Sequence, residues 1–527
     1  MKKAGRILVL LTVAAMMLTA ACSKQKDEKT TAKTSVKTIV YGTTDKVSDM
    51  DPANAYDVHT WEVFYNIDRG LLAYTPGTTD IIPGLASSYD VNDTGDEYTF
   101  HLRPGLKFTD GTAFDASVMK WSIDRVIKLG GDPSWLVSDF VKEVTVKDDL
   151  TVVFTLKQPC AFFPSLVTTP TYFPANPNEF PADKIIKDIS ELKSGTLSGL
   201  GPYKLVSFKR DEEAIYEINP DYYGEKPDVG RIVVRYFADA TTMRLAFEKG
   251  ELDLVFKSLN PSDIKDLSEK TEFATNRLPG PQIRYICFET SEGLFKDKVL
   301  RQALAALIDR QDLIQKVYLG QNSALYSMIP NGMIYQEDSF KTAFGDANVE
   351  LATKLLAGKG YTADNPFTFD FWYTPSHYGD TEVNMAEVLK AQFEKCPALR
   401  VNLKSAEWAT YKDNWNKKLM PAFLLGWYPD YVDPDDYTTA FAGTSGSAGM
   451  GIYFSDPEWD AMFAKEQGST DAAVRQEIFS KIQQMWTDEV MTVPIWQGDL
   501  YIFTKPNISG VKLGPTLIFN FSELKVN

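Results

Sequence analysis

One stretch carries residue types that could hold a ligand: GWYPDYVDPDDY, residues 426–437. It follows the apolar run Phe423, Leu424 and Leu425, which reads as a buried strand, so the stretch sits where a strand leaves a core. Pro429 and Pro434 exclude regular helix or central strand and stiffen the backbone. Asp430, Asp433, Asp435 and Asp436 therefore share one loop with Trp427, Tyr428, Tyr431 and Tyr437. Rings beside carboxylates can hold a polar ligand, the rings covering its apolar parts and a carboxylate meeting a cation. The competing reading is a solvated acidic loop whose rings only pack a core.

Other chemistry is poorly represented. The phosphate-cradling GxxxxGK pattern and the nucleophile elbow GxSxG are missing, and the Gly- and Ser-rich residues 443–451 match neither spacing. The three histidines, His59, His101 and His377, lie far apart, which argues against a histidine-based triad or metal cluster. A calcium loop beginning at Asp430 or Asp433 lacks Gly at its sixth position and Glu at its twelfth. Paired carboxylates could serve a glycosidase, but no acid/base constellation is assembled, so the expectation is a non-enzyme without cofactor or bound metal.

The N-terminus gives the compartment. Lys2, Lys3 and Arg6 precede a largely apolar run over residues 7–21, then Cys22, which is the layout of a secretory signal peptide. The sequence TAAC at residues 19–22, after Leu18, resembles a lipobox, in which the cysteine is acylated and becomes the first mature residue. Thr19 stands where such boxes usually carry Leu. Taking 21 residues and three positive charges from a 527-residue chain of net charge −16 leaves 506 residues at −19. So acidic a chain has no general affinity for nucleic acid or an anionic bilayer. Residues 22–36 read as a polar tether. Cys160, Cys287 and Cys396 have no redox or metal spacing and are expected as buried thiols, with room for one bridge at most.

The elements that position the loop are mixed. Residues 97–103 alternate with Tyr98, Phe100 and Leu102 on one face, and residues 151–156 with Val152, Phe154 and Leu156. Between them Asp115 can cap a helix whose inner side is Val118, Trp121 or Ser122, and Val126. A helix is expected over residues 300–319, closed by Gly320, and another carries Val474, Ile478, Ile482 and Met485. Two strands are expected near residues 493–496 and 500–503. The length implies roughly three structural units of α/β or α+β class.

Seven stretches in order resemble one family, the solute-binding proteins of peptide/nickel-type ABC importers, also called extracellular solute-binding protein family 5. FHLRPGLKFTDG at residues 100–111 is similar to its LRpGvkFhDG segment, and GLGPYK at 199–204 to GTGPYk, with Leu200 in place of Thr. NPDYYG at 219–224 and EKGELD at 248–253 follow, then VLRQAL at 299–304 with IDR at 308–310. Residues 426–437 resemble GWxxDYpDPdnf, and VPIW at 493–496 resembles vPlw. One departure is Glu289 after Phe288, where the family often has Asn.

The resemblance implies an α/β, two-lobed periplasmic-binding-protein-like fold (type II, cluster C-like). Lobe I would comprise residues 37–281 plus 497–527, with an inserted subdomain at about 76–195, and lobe II residues 282–496. The crossings near residues 279–284 and 493–501 would be the hinge. A monomer, lipid-anchored at Cys22 in the periplasm or on the outer cell surface, would capture a solute and deliver it to ABC permease subunits. The family's oligopeptide binders use an Asp three places after the motif's Trp for the peptide ammonium, which is Asp430 after Trp427. Trp427, Tyr431 and Trp496 would be walls, with Tyr285 and Trp61 as further candidates and Arg284 facing a carboxylate or a salt bridge. Sugars and nickel complexes are the alternatives within the family, and a secreted hydrolase the alternative outside it.

Overall fold

The computed structural model describes residues 36–192, 195–257, 259–375, 377–379 and 381–527. The expected signal peptide, Cys22 and nearly all of the tether lie outside these residues. Among the described residues no helix is long and apolar enough to cross a membrane.

Alternation in the sequence becomes a four-stranded antiparallel sheet. Glu97–Leu102 pairs with Ala86–Val91 on one side and Thr151–Leu156 on the other, with Val141–Asp148 at the far edge. Tyr98, Phe100 and Leu102 all point inward, as period-two spacing requires. The helix Ala116–Leu129 starts at Asp115, whose side chain accepts from the backbone N–H groups of Ser117 and Val118, and stops at Gly130 with φ 59°. Its inner face differs from the one read in the sequence. Met119, Ser122, Ile123 and Val126 are buried, while Val118 and Trp121 are only partly so. The register is set by Arg125, whose guanidinium makes a two-pronged buried pair with Asp51 at 2.7 and 2.6 Å.

A second, larger sheet runs through the molecule. In spatial order its strands are Leu399–Ser405, Phe367–Tyr373, Ala422–Trp427, Ala274–Phe288, Thr492–Thr504, Leu254–Phe256, Thr38–Thr43, Arg231–Tyr236, Glu213–Ile218 and Tyr203–Lys209; Asn322–Ala324 pairs aside with Thr492–Thr504. The two strands expected near residues 493–503 are one, because Gly498 stays paired with Asn322 and Asp499 with Pro279.

Two large hydrophobic cores lie along this sheet. One draws on residues between Ile39 and Phe256 together with Leu500 to Leu524, and Phe519 and Phe521 stand edge-on to Tyr41 at 5.7 and 6.2 Å. The other is built from residues between Ile283 and Trp496. Ala274–Phe288 and Thr492–Thr504 are the strands that pass from one to the other, paired antiparallel from Ala274 opposite Thr504 to Cys287 opposite Thr492. Their register shifts between Pro279 and Ile283. At that shift the backbones come so close that a Cβ on Gly280 would lie 2.6 Å from the Gly498 carbonyl oxygen.

The helix expected over residues 300–319 is two, Lys298–Leu307 and Arg310–Tyr318. The break at Ile308 and Asp309 lets Asp309 cap the second helix, accepting from Asp312 N–H at 3.0 Å. It also turns Arg310 inward, where it donates to the Leu325 and Pro494 carbonyls and pairs with Asp346 at 2.9 Å. In the late helix, Ala472–Glu489, Val474 and Met485 flank the buried line of Ile478, Phe479, Ile482 and Trp486. Cys160, Cys287 and Cys396 are buried and unpaired.

Candidate functional site

The loop at 426–437 begins as the strand Ala422–Trp427, which lies against Ala274–Phe288 with Gly426 opposite Arg284 and Trp427 opposite Ile283. Pro434 then opens a short helical turn, Pro434–Tyr437, capped by the Asp433 side chain, which accepts from Asp435 N–H at 3.0 Å. The loop is stitched to both cores in turn. Trp427 packs edge-on against Phe441 at 5.2 Å in the second core. Tyr431 belongs to the first core, stacked on Phe162 with centroids 5.0 Å apart and planes 9° from parallel. Tyr437 returns to the second core and donates to the Pro281 carbonyl at 2.8 Å.

The acids are therefore interior groups rather than a solvated surface: Asp430 and Asp433 are each 8% exposed, Asp435 and Asp436 each 2%. Their partners differ. Asp433 makes a two-pronged pair with Arg475 at 2.9 and 2.6 Å, and Glu466 joins the same guanidinium at 2.7 Å. Asp435 accepts from Tyr431 Oη at 2.7 Å, from Gln467 Nε2 at 3.0 Å and from the Thr439 hydroxyl. Asp436 accepts from Trp427 Nε1 at 3.0 Å. Asp430 accepts from Tyr56 Oη at 2.8 Å and, among the described residues, is in no ion pair. Burial pushes its carboxyl up to about 7, the Tyr56 hydrogen bond working the other way. Burial, and then the charge of Asp430, holds Asp436 well above the usual carboxylate range.

The remaining residues singled out in the sequence fall in two places. Trp61 lies in the first core, donating Nε1–H to the Ala55 carbonyl at 2.8 Å, with its ring 6.0 Å from that of Tyr56, so it backs the phenol that reaches Asp430. Arg284, Tyr285 and Trp496 sit on the two crossing strands. Tyr285 is fully enclosed, its ring 5.1 Å from Phe441, and so stands inside the second core rather than on an open wall. Trp496 is also buried, edge-on to Tyr318 at 4.9 Å, with Nε1–H donated to the Met385 sulfur at 3.4 Å. Arg284 is ion-paired with the buried Glu382 and capped by the Tyr378 ring, 3.6 Å from centroid to guanidinium carbon. Of the two partners weighed for Arg284, the protein supplies its own carboxylate. A cavity of 810 Å³ lies elsewhere on the first core, between Arg69, Phe173, Tyr222 and Thr516, and none of these site residues lines it.

Sequence reading missed Tyr56, Arg475 and Glu382 as parts of this arrangement. Tyr56 and Asp430 are 374 residues apart, and no local pattern joins them. Arg475 could have been suspected as the one charged residue on the inner face of its helix, where Gln483 is the other polar interruption.

Comparison with known proteins agrees with this architecture. The family described as "Bacterial extracellular solute-binding proteins, family 5 Middle" matches residues 80–449. The heme-binding protein A of Haemophilus influenzae is 27% identical over 96% of both chains. The dipeptide-binding protein of Escherichia coli is 24% identical over 100% of this chain and 99% of its own. Among solved structures, the periplasmic binding protein DppA of Helicobacter pylori in complex with the peptide STSA superposes with a TM-score of 0.77 at 22% identity, over 93% of this chain and 98% of that one. NikA of Brucella suis in complex with Fe(III)-EDTA gives 0.80 at 21% identity, over 93% and 100%. The fold is thus the two-lobed α/β fold of these binding proteins. The chain belongs to the bacterial extracellular solute-binding proteins of family 5.

Proposed function

We propose that the protein is the peptide-capturing component of an ABC importer, held to the membrane by an acylated Cys22, and that it passes its ligand to permease subunits. The observation that carries the peptide reading is Asp430. It is an almost fully buried carboxylate with a neutral hydroxyl for a partner and no cation among the described residues. A charge so placed is costly unless a positive group completes it, and a peptide's terminal ammonium is such a group. Tyr56 meets this carboxylate directly, with Trp61 behind it, and Trp427 holds the neighbouring Asp436. In this reading the lobes are residues 37–281 plus 497–527 and residues 282–496, closing by bending where the crossing strands shift register.

The test is calorimetric titration with di-, tri- and tetra-alanine and their N-acetyl forms. Removing one member of a buried charge pair typically costs about 2–5 kcal/mol, or roughly 30- to 5,000-fold in affinity. Asp430→Asn should lose affinity on that scale for the free peptides, and N-acetyl forms should bind wild type about as poorly. Equal binding of free and acetylated peptide would refute the role of Asp430. Tight binding of a neutral oligosaccharide or a nickel complex instead would move the chain to another ligand class of the same family.

A further inference from the structure

Five carboxylates gather where the loop crosses between the cores: Asp430, Asp433, Asp435, Asp436 and Glu466, none more than 8% exposed. Arg475 is the one cation in an ion pair with any of them among the described residues, and it is committed to Asp433 and Glu466. Every other partner is neutral: the Trp427 indole on Asp436, the Tyr56 phenol on Asp430, and the Tyr431, Thr439 and Gln467 groups on Asp435. Glu466 Oε1 meets no donor among the described residues, and the Glu466 side chain faces the Asp435 carboxyl. The other titratable groups facing the cluster are the phenols of Tyr74, Tyr335, Tyr431 and Tyr437 and the thiol of Cys160, each kept protonated by burial. With every acid ionised, the cluster would hold four uncompensated charges out of water.

Carboxylates this close in a dry site do not all ionise; they share protons, and the protons belong to the set rather than to one residue. Asp436 accepts from the Asp430 backbone N–H, and the charge of Asp430 is the neighbouring charge that raises the Asp436 carboxyl most.

We propose that ligand capture here is an exchange of a proton for a cation: the empty site holds a proton on the Asp430–Asp436 pair, and the arriving ammonium drives it into solvent. This rests on the reading of Asp430 as the ammonium's partner. The balance is simple. A neutral carboxyl and a free ammonium become a carboxylate–ammonium pair, with one proton passed to the buffer and no other bond changed.

The carboxyl's elevation to about 7 sets the window. Below it the proton competes with the ligand, and affinity falls by up to about tenfold per pH unit. Above it no proton need leave, until the ligand's α-amino group loses its own charge near about pH 8. Affinity should therefore peak in a narrow interval near neutrality.

Two measurements decide this. Infrared titration of the ligand-free protein should show a protonated-carboxyl carbonyl band that disappears with a midpoint near about pH 7 and is missing from Asp430→Asn. Calorimetry of trialanine in phosphate and in Tris at about pH 6 should give heats that differ by the buffers' ionisation enthalpies, for up to one proton released; the difference should pass through zero near about pH 7.5 and reverse sign by about pH 8, where the ligand's amine takes up a proton on binding. A protein with no carboxyl band titrating above about pH 5 overturns the exchange, whatever binds. Buffer-independent binding of trialanine at the lower pH also overturns it while leaving the peptide reading intact. Equal binding of N-acetyl-trialanine fails both, as does no binding of any of the three alanine peptides at any pH.

Discussion

Tyr431, on a loop that starts and ends in the second core, lies flat on Phe162 of the first, with ring centroids 5.0 Å apart. The contact is backed by hydrogen bonds across the same seam, from Ala161 N–H to the Gln467 carbonyl at 2.6 Å and from the Ser165 hydroxyl to the Val432 carbonyl at 3.2 Å. The two cores are thus fastened by the loop that carries the candidate ligand carboxylate, so the fastening and the proposed ligand contact share one loop.

Truncating either ring should loosen that seam. Phe162→Ala and Tyr431→Ala are each expected to cost about 3–5 kcal/mol of stability, as large aromatic truncations in cores do. The double variant should fall short of the sum by about 0.5–1.5 kcal/mol, the usual coupling of an aromatic pair. Urea unfolding of the four proteins measures it; strict additivity would mean that the rings do not support one another.

The Arg284–Glu382 pair is fully enclosed, so its members should be expendable together but not singly. Glu382→Gln leaves a buried guanidinium without a counter-charge and should cost about 3–5 kcal/mol. Replacing both, Arg284→Met with Glu382→Leu, should recover most of that loss. Denaturant midpoints of the single and double variants decide between this and an Arg284 held for a ligand, in which case the double variant would be stable but deficient in binding.

Asp430 should also show in the stability of the empty protein. Because burial raises its carboxyl to about 7, the folded state holds a proton that the unfolded chain, with a carboxyl near about 4, has released at intermediate pH. That contribution favours folding least at high pH and recovers as pH falls through 7 toward 4. Asp430→Asn removes the charge and should stabilise the ligand-free protein at about pH 8 by on the order of 2–4 kcal/mol, a gain that shrinks toward about pH 4. Melting curves of both proteins across that range are the check, and a gain independent of pH would contradict the assignment.

At the crossing, Gly280→Ala must push its new methyl against the Gly498 carbonyl or spread the two strands. The expected cost is about 1–3 kcal/mol, as for other overpacked positions. Amide exchange should locate the disturbance at residues 278–283 and 497–500; protection lost elsewhere instead would place the strain wrongly.

Much of the local structure was legible because its signals are local. Alternation at Tyr98, Phe100 and Leu102, and the cap at Asp115, need only neighbours in sequence to be read. The run from Leu300 to Leu319 misled because its apolar spacing continues across Ile308 and Asp309, while the break is dictated by distant groups, the Gln392 side chain on Asp309 and Asp346 on Arg310. The acidic loop was located and its rings identified, yet composition alone left solvated and buried readings open. What buries it is Phe162, Tyr56 and Arg475, each brought from far away in the chain. Long-range partners of this kind leave no periodic trace.

The order of synthesis gives the closing strands a further meaning. The first core is not complete until residues 500–524 arrive, since Ile502, Phe519 and Phe521 fill its centre beside Tyr41 and Tyr216. A nascent chain that has made residues 37–281 still lacks the strand Thr492–Thr504, against which both Leu254–Phe256 and Ala274–Phe288 must pair. Premature termination anywhere before residue 492 therefore leaves an open sheet edge on either side of the gap, ready to pair with other chains. Completion of the first core therefore waits for the final residues of the chain.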